Sequence, residues 1–258
     1  MQDTSKLIDQ KIRIYSLESC HKAKNGVKIP IDLCLYTPKE VFAALLTNSH
    51  ITSWLEFISK SYFPPNEKTF LLLYPCSTIK PYSESRSYKA LFKTLSSISS
   101  DREQKIHVVT ISEPFGLVPE EFFDQFPVWY DCPGLFEWWC KKHKLPYSDK
   151  YLERCIELLA IRIANFLERT KEHYKGRLAF IRTFSSNLKR KKDHTHVRIL
   201  ERAIELSGVA IKILPDKSWV TDIVSSRGTF AWDMYGVAHP KAQNFLLDFL
   251  NNGGMKNI

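Results

Sequence analysis

Residues 62–92 read YFPPNEKTFLLLYPCSTIKPYSESRSYKALF, and this stretch decides the class of fold. An apolar run from Thr69 to Tyr74 enters Pro75-Cys76-Ser77, then a Lys-Pro-Tyr-Ser loop, then an amphipathic helical pattern. Strand, loop and helix in that order form the unit of an α/β sheet, and ligands gather at the loops leaving the carboxyl ends of its strands. This loop brings together a thiol, several hydroxyls and a lysine, which marks it as a site rather than a linker.

Working outward, the pattern repeats. Phe70–Tyr74, Ile106–Ile111, Leu178–Ile181 and Val209–Leu214 are continuously apolar, as expected of strands covered on both faces. Helical patterns fall between them, near Ser87–Ile98, Ser148–Tyr174 and His196–Ser207, and a last one runs from Pro240 to Leu250. Within the long one, Leu152, Cys155, Ile156, Leu159, Ile163, Phe166 and Leu167 share a face, and Gly176 is placed to cap its end. The alternation predicts a three-layer α/β sandwich, with a mainly parallel sheet and right-handed crossovers. Residues 1–60 read as an N-terminal helical extension capping a core of residues 61–258. In the extension, Pro38 opens a helix, Trp54 to Ile58 form a second apolar face, and Ile12–Tyr15 and Ile29–Leu35 are short-strand candidates.

A chain of 258 residues buries roughly 75% of its unfolded surface, so it stands without disulfides or metals. The six cysteines are dispersed and no secretory leader precedes them, which predicts a reduced, cytoplasmic protein. No apolar run approaches the roughly 18 residues that span a bilayer. The net charge of +9 suits a polyanionic partner, although a lysine-rich surface alone also produces it. The best electrostatic footprint is Lys189, Arg190, Lys191 and Lys192, read as a contact for structured RNA or else as a solvated loop. Nothing matches a phosphate-binding glycine loop, a dinucleotide fingerprint or a kinase set. Cys140 and His143 have ligand spacing, but only Cys132 supplements them, so no metal site is assigned. His194 and His196 beside Asp193 read as a polar helix start.

A parallel sheet brings the loop after the first strand, Pro75 to Arg86, to the same edge as the loop after the second, Ser112 to Pro119. Pro119-Glu120-Glu121 then starts a helix. An aromatic, turn-rich segment around Trp129, Tyr130 and Asp131 follows. Together these segments predict a pocket with an aromatic wall, a thiol and an acid, suited to a flat heterocycle. Cys76 is either a small buried hydrophobe or a nucleophile. Lys80, Arg86 and the helix start near Ser85–Ser87 favour the thiolate. Asp131 is either an acid–base group or the cap of a turn.

Residues 75–87, Pro-Cys-Ser-Thr-Ile-Lys-Pro-Tyr-Ser-Glu-Ser-Arg-Ser, resemble the Pro-Cys-Ser-x-x-Lys-Pro-Tyr-x-x-Ser-x-Ser signature of archaeosine synthase. Ser112-Glu113-Pro114-Phe115-Gly116-Leu117-Val118-Pro119, Phe126-Pro127 with Tyr130-Asp131, and His239-Pro240 with Ala242-Gln243 are similar to further elements of that family. The resemblance covers about Trp54 to Leu250. It departs at Tyr88, where the family has histidine, and the family's long transglycosylase-like N-terminal region and PUA domain have no counterpart in these 258 residues. The resemblance implies a tRNA-modifying enzyme that adds lysine, or another amine, to the nitrile of cyano-deazaguanine in the tRNA D-loop. It implies free lysine as co-substrate, a separate radical-SAM partner enzyme, and no cofactor of its own. With no PUA domain, tRNA affinity falls to the basic surface, a partner or self-association into a homo-oligomer.

On that reading, Cys76 attacks the nitrile to give a thioimide. Lys80 tunes the thiol or binds the lysine carboxylate, and Asp131 moves protons. Ser77, Tyr82, Ser85, Ser87, Ser112 and Gly116 hold the base and its ribose-phosphate, and Trp129 or Tyr130 stacks. Two other classes fit the same residues: a non-catalytic tRNA-binding subunit, and a glycosylase-like enzyme with a base pocket at its strand-end loops.

Overall fold

The computed structural model describes residues 4–125, 127–189 and 194–255. Three helices precede the sheet: α1 (Thr4–Leu17), α2 (Pro38–Thr47) and α3 (Ser49–Glu56). Strands β1 (Phe70–Pro75), β2 (Ile106–Ser112), β3 (Gly116–Pro119), β4 (Gly176–Phe180) and β5 (Lys212–Leu214) form one sheet in the order β3-β2-β1-β4-β5. Helices α4 (Arg86–Leu95) and α5 (Ser100–Glu103) link β1 to β2, and α6 (Glu137–Lys142) and α7 (Asp149–Arg169) link β3 to β4. Helix α8 (Thr195–Ser207) links β4 to β5, and α9 (Lys217–Arg227), α10 (Thr229–Tyr235) and α11 (Pro240–Asn251) complete the chain.

The fold is the three-layer α/β sandwich expected from the alternating pattern. Leu71, Leu72 and Leu73 of β1 are fully buried because helices cover both faces of the central strand. From β1 the chain winds to β2 on one side, and from β4 to β5 on the other. Right-handed crossovers therefore place α4 and α8 on opposite faces. Accordingly α7 packs on α2 and α8, while α4 packs on α11. Local chemistry agrees with the boundaries. Thr37 and Glu40 close a reciprocal capping box on α2, and Ser85 caps α4 through the Tyr88 amide.

Several elements differ from the sequence pattern. Ser112-Glu113-Pro114-Phe115 turns the chain back, so Gly116–Pro119 pairs antiparallel to β2 as an edge strand. Gly116 sits at φ +67 to make this reversal. Pro119-Glu120-Glu121 starts only a 3-10 turn, Glu120–Phe122. Ile12–Tyr15 lies inside α1, and Ile31–Leu33 is a 3-10 turn, so neither strand candidate forms. Helix α7 ends at Arg169 with Thr170 at its cap position, and Gly176 opens β4 instead; a Cβ there would meet the Phe70 ring at 2.7 Å.

The N-terminal segment is pinned to the core. Lys80 exchanges backbone hydrogen bonds with Lys22 and Lys24, and Asp131 exchanges them with Leu33 and Leu35. The Trp54 indole donates to the Leu117 carbonyl at 3.0 Å. Among the described residues, no helix is long and apolar enough to cross a membrane, and all six cysteines are free thiols.

Candidate functional site

The order β3-β2-β1-β4-β5 reverses direction between β1 and β4, and such a switch point opens a crevice at the carboxyl ends of the flanking strands. Three loops converge there. Cys76 follows β1 and is held by its amide donating to the Ile111 carbonyl at 3.0 Å. Glu113 follows β2. His196, in the first turn of α8, enters on the loop after β4.

These three side chains make one cluster. Cys76 Sγ lies 3.7 Å from His196 Nε2, and that same nitrogen lies 2.9 Å from Glu113 Oε2. One donor atom from each residue falls within 4.8 Å of the other two. Cys76 and His196 are half-buried and Glu113 is buried. Desolvation raises the Glu113 carboxyl, but the His196 charge and hydrogen bond outweigh it, and the carboxyl ends below its ordinary value. Desolvation disfavours the His196 cation, yet Glu113 and then Cys76 push its pKa well above 6.5. Around neutral pH, then, a carboxylate holds an imidazolium against the sulfur. Burial, with Glu113 nearby, pushes the adjacent Cys132 thiol well up and keeps it protonated.

Lys80 lies underneath this cluster. It is 2% exposed, its Nζ stands 4.2 Å from the centre of the Tyr130 ring and 4.8 Å from that of Tyr82, and it donates to the Ser77 carbonyl. Burial lowers its pKa to about 8, against the attraction of Cys76 and Asp131. An ammonium so enclosed acts on the sulfur through space and is not presented to a solvent-borne carboxylate.

Asp131 is tied to the N-terminal segment. Both carboxylate oxygens accept from Lys22 Nζ at 2.8 Å, and Oδ2 also accepts from the Ser19 hydroxyl at 2.5 Å. The carboxylate standing at the sulfur is Glu113. Asp131→Ala strands the Lys22 ammonium, whose side chain is only 15% exposed. It is expected to cost about 2 kcal/mol of stability, read from urea midpoints.

The residues expected to touch a substrate divide into two groups. Tyr82, Tyr130 and Ser112 form a buried hydroxyl chain, with Tyr82 and Tyr130 oxygens 2.6 Å apart and Ser112 bonded to Tyr130. Ser85 is buried as a helix cap and Gly116 packs on Leu55, so both act as scaffold. Ser77, Ser87 and Trp129 are half-buried, with Ser87 donating to the Tyr74 hydroxyl at 3.0 Å. Trp129 lines an open hollow of about 460 Å³ with Pro81, Ser83, Asp124 and Asn25. Two hollows of about 600 Å³ lie away from these loops, one at the amino ends of the strands and one between α1, α2 and the start of α7. Tyr88, in place of the family histidine, is buried and bonds the Thr110 hydroxyl and the Pro75 carbonyl. Lys189 is exposed, while Arg190, Lys191, Lys192 and Phe126 lie outside the described residues.

The family model described as a domain of unknown function, DUF5591, matches residues 51–195. The archaeosine synthase subunit alpha of Thermococcus kodakarensis is 27% identical over 184 residues, 71% of this chain and 28% of that one. The protein of the same name from Thermoplasma acidophilum is 34% identical over 84 residues, 32% of this chain and 16% of that one. The archaeosine synthase of Methanocaldococcus jannaschii is 29% identical over 137 residues, 53% of this chain and 21% of that one. The matched stretch thus spans less than a third of each of these relatives. No solved structure matches.

Proposed function

The chain belongs to the DUF5591 family and carries an archaeosine synthase-related domain, and from that premise we propose that it modifies tRNA in archaeosine biosynthesis. Its substrate on this reading is a tRNA bearing cyano-deazaguanine in the D-loop, and it adds lysine, or another amine, to the nitrile. Cys76 attacks the nitrile carbon to give a thioimide, which the amine then displaces. The supporting observation is the half-buried Cys76 sulfur on the loop leaving β1, 3.7 Å from a histidine that a carboxylate holds. On this reading Ser77, Ser87 and Trp129 meet the nucleoside. Lys189, Arg190, Lys191 and Lys192 are the proposed tRNA contacts.

In the second reading, the chain is a tRNA-binding subunit whose catalysis belongs to a partner. The name "subunit alpha" carried by three relatives favours it. One experiment separates the two: nitrile-bearing tRNA is incubated with isotopically labelled lysine and the protein, with and without a radical-SAM partner enzyme, and the nucleosides are analysed by mass spectrometry. A lysine adduct formed by this chain alone is the expected result. Label incorporated only when a partner is supplied moves the chemistry off this chain.

A further inference from the structure

In the reaction proposed above, something must hand the nitrile nitrogen a proton as the sulfur attacks. We propose that His196 is the proton carrier of this site and that Glu113 positions it, so that Cys76, His196 and Glu113 work as one nucleophile–acid–orienter unit. The inference deepens the archaeosine reading and rests on it only for the substrate.

The geometry selects this role over two others. Asp131 has both oxygens bonded to Lys22 and one also to Ser19, whereas Glu113 is the carboxylate bonded to the histidine at the sulfur. The trio also has the composition of a metal site. However, two ligands bonded at about 2.0–2.1 Å to one tetrahedral ion stand roughly 3.3 Å apart. Glu113 Oε2 and His196 Nε2 are 2.9 Å apart, the length of a direct charge-assisted hydrogen bond. The imidazolium Nε2–H therefore donates to the carboxylate, and the sulfur stands 3.7 Å from that same nitrogen.

The step balances. The Cys76 thiolate forms a carbon–sulfur bond as one π bond of the nitrile breaks, and the nitrogen takes the Nε2 proton, leaving neutral imidazole beside Glu113. The amine then adds to the thioimide carbon and gives a proton back to His196. The carbon–sulfur bond breaks, returning thiolate and imidazolium, and the amidine leaves. Cys132 and Lys80 flank the cluster, the first as a neutral thiol and the second as a buried ammonium.

The test uses the whole chain and needs no tRNA for its first arm. Alkylation of Cys76 by iodoacetamide at about pH 6 is followed by peptide mass spectrometry in wild type, His196→Gln and Glu113→Gln, with exposed Cys20 as the internal reference. Cys76 alkylation is expected to fall about 10-fold in His196→Gln and several-fold in Glu113→Gln, with Cys20 unchanged. In the second arm, His196→Gln is expected to lower kcat for lysine transfer about 100-fold or more with little change in KM. Glu113→Gln should lower kcat less and shift the pH profile. Circular dichroism verifies that each variant folds, and Glu113→Gln serves if His196→Gln does not. Wild-type alkylation rates in either folded variant overturn the proposal, as does one zinc per chain that both variants lose. A fall in alkylation with no lysine transfer even by wild type upholds the cluster and rejects the archaeosine reading.

Discussion

Cys76→Ala is expected to lower lysine transfer to nitrile-bearing tRNA by about a thousand-fold or more, the scale seen when a covalent nucleophile is removed from an enzyme. An amine meets a nitrile slowly in water because negative charge must build on nitrogen with nothing to receive it. A sulfur nucleophile divides that barrier into two smaller ones, each with a proton available. Cys76 is half-buried on the loop leaving β1, beside an imidazolium and close to a buried ammonium, so the positive groups needed for that division are already in place. The substitution removes one half-buried sulfur and should change folding stability by less than about 1 kcal/mol. Loss of turnover with an unaltered melting curve would therefore report chemistry. Intact-mass analysis supplies the second readout: wild type, denatured during turnover, carries a covalent tRNA adduct that Cys76→Ala lacks. Near-normal turnover by Cys76→Ala would mean that the amine attacks the nitrile directly, with Cys76 only lining the pocket.

The layers of the fold were legible because its strands are uninterrupted apolar runs, and only burial on both faces tolerates such runs. Strand β3 was hidden, since Gly116–Pro119 is four residues long and reads as loop until its pairing with β2 is seen. The site was half legible. Cys76, Lys80 and Tyr82 share the loop after β1, and the Tyr130 ring stands over Lys80 although its segment follows the antiparallel β3. The partners of Asp131 were not legible, for a reason that lies in the first residues of the chain. Lys22 and Ser19 reach over the sheet edge and occupy its carboxylate, a contact spanning over a hundred positions. Glu113 and His196 were on view, one in the second loop and the other beside Asp193 in a polar helix start. What located them is the strand order: β4 sits next to β1, so the loop after β4 opens onto the sulfur. Sequence alternation predicts a parallel sheet but not which strands are neighbours.

Lys80 gives the second large effect, and its sign follows from its burial. The ammonium is 2% exposed, and desolvation lowers its pKa from 10.5 to about 8, with Lys22 adding to the lowering and Cys76 and Asp131 opposing it. A lysine whose folded pKa lies below its unfolded one binds fewer protons when folded, so its charge opposes folding. That penalty is fully present below about pH 8 and disappears as pH rises towards 10.5. At 1.36 kcal/mol per unit, it amounts to roughly 3 kcal/mol. Comparing urea unfolding of wild type and Lys80→Met from about pH 7 to pH 10 is expected to show wild type gaining 2–3 kcal/mol on the variant. Buried tyrosines and cysteines pull the absolute curves the other way at alkaline pH, but they are common to both proteins and cancel in the difference. A gap that stays flat across this range would mean that Lys80 titrates like a solvated lysine and that the enclosure by Tyr82 and Tyr130 is not maintained in solution. If the gap opens as expected, the cost of burying this charge is borne only where the sulfur needs it. The Lys80 cation beside Cys76 then fades above about pH 8, and lysine transfer should decline there in step with it.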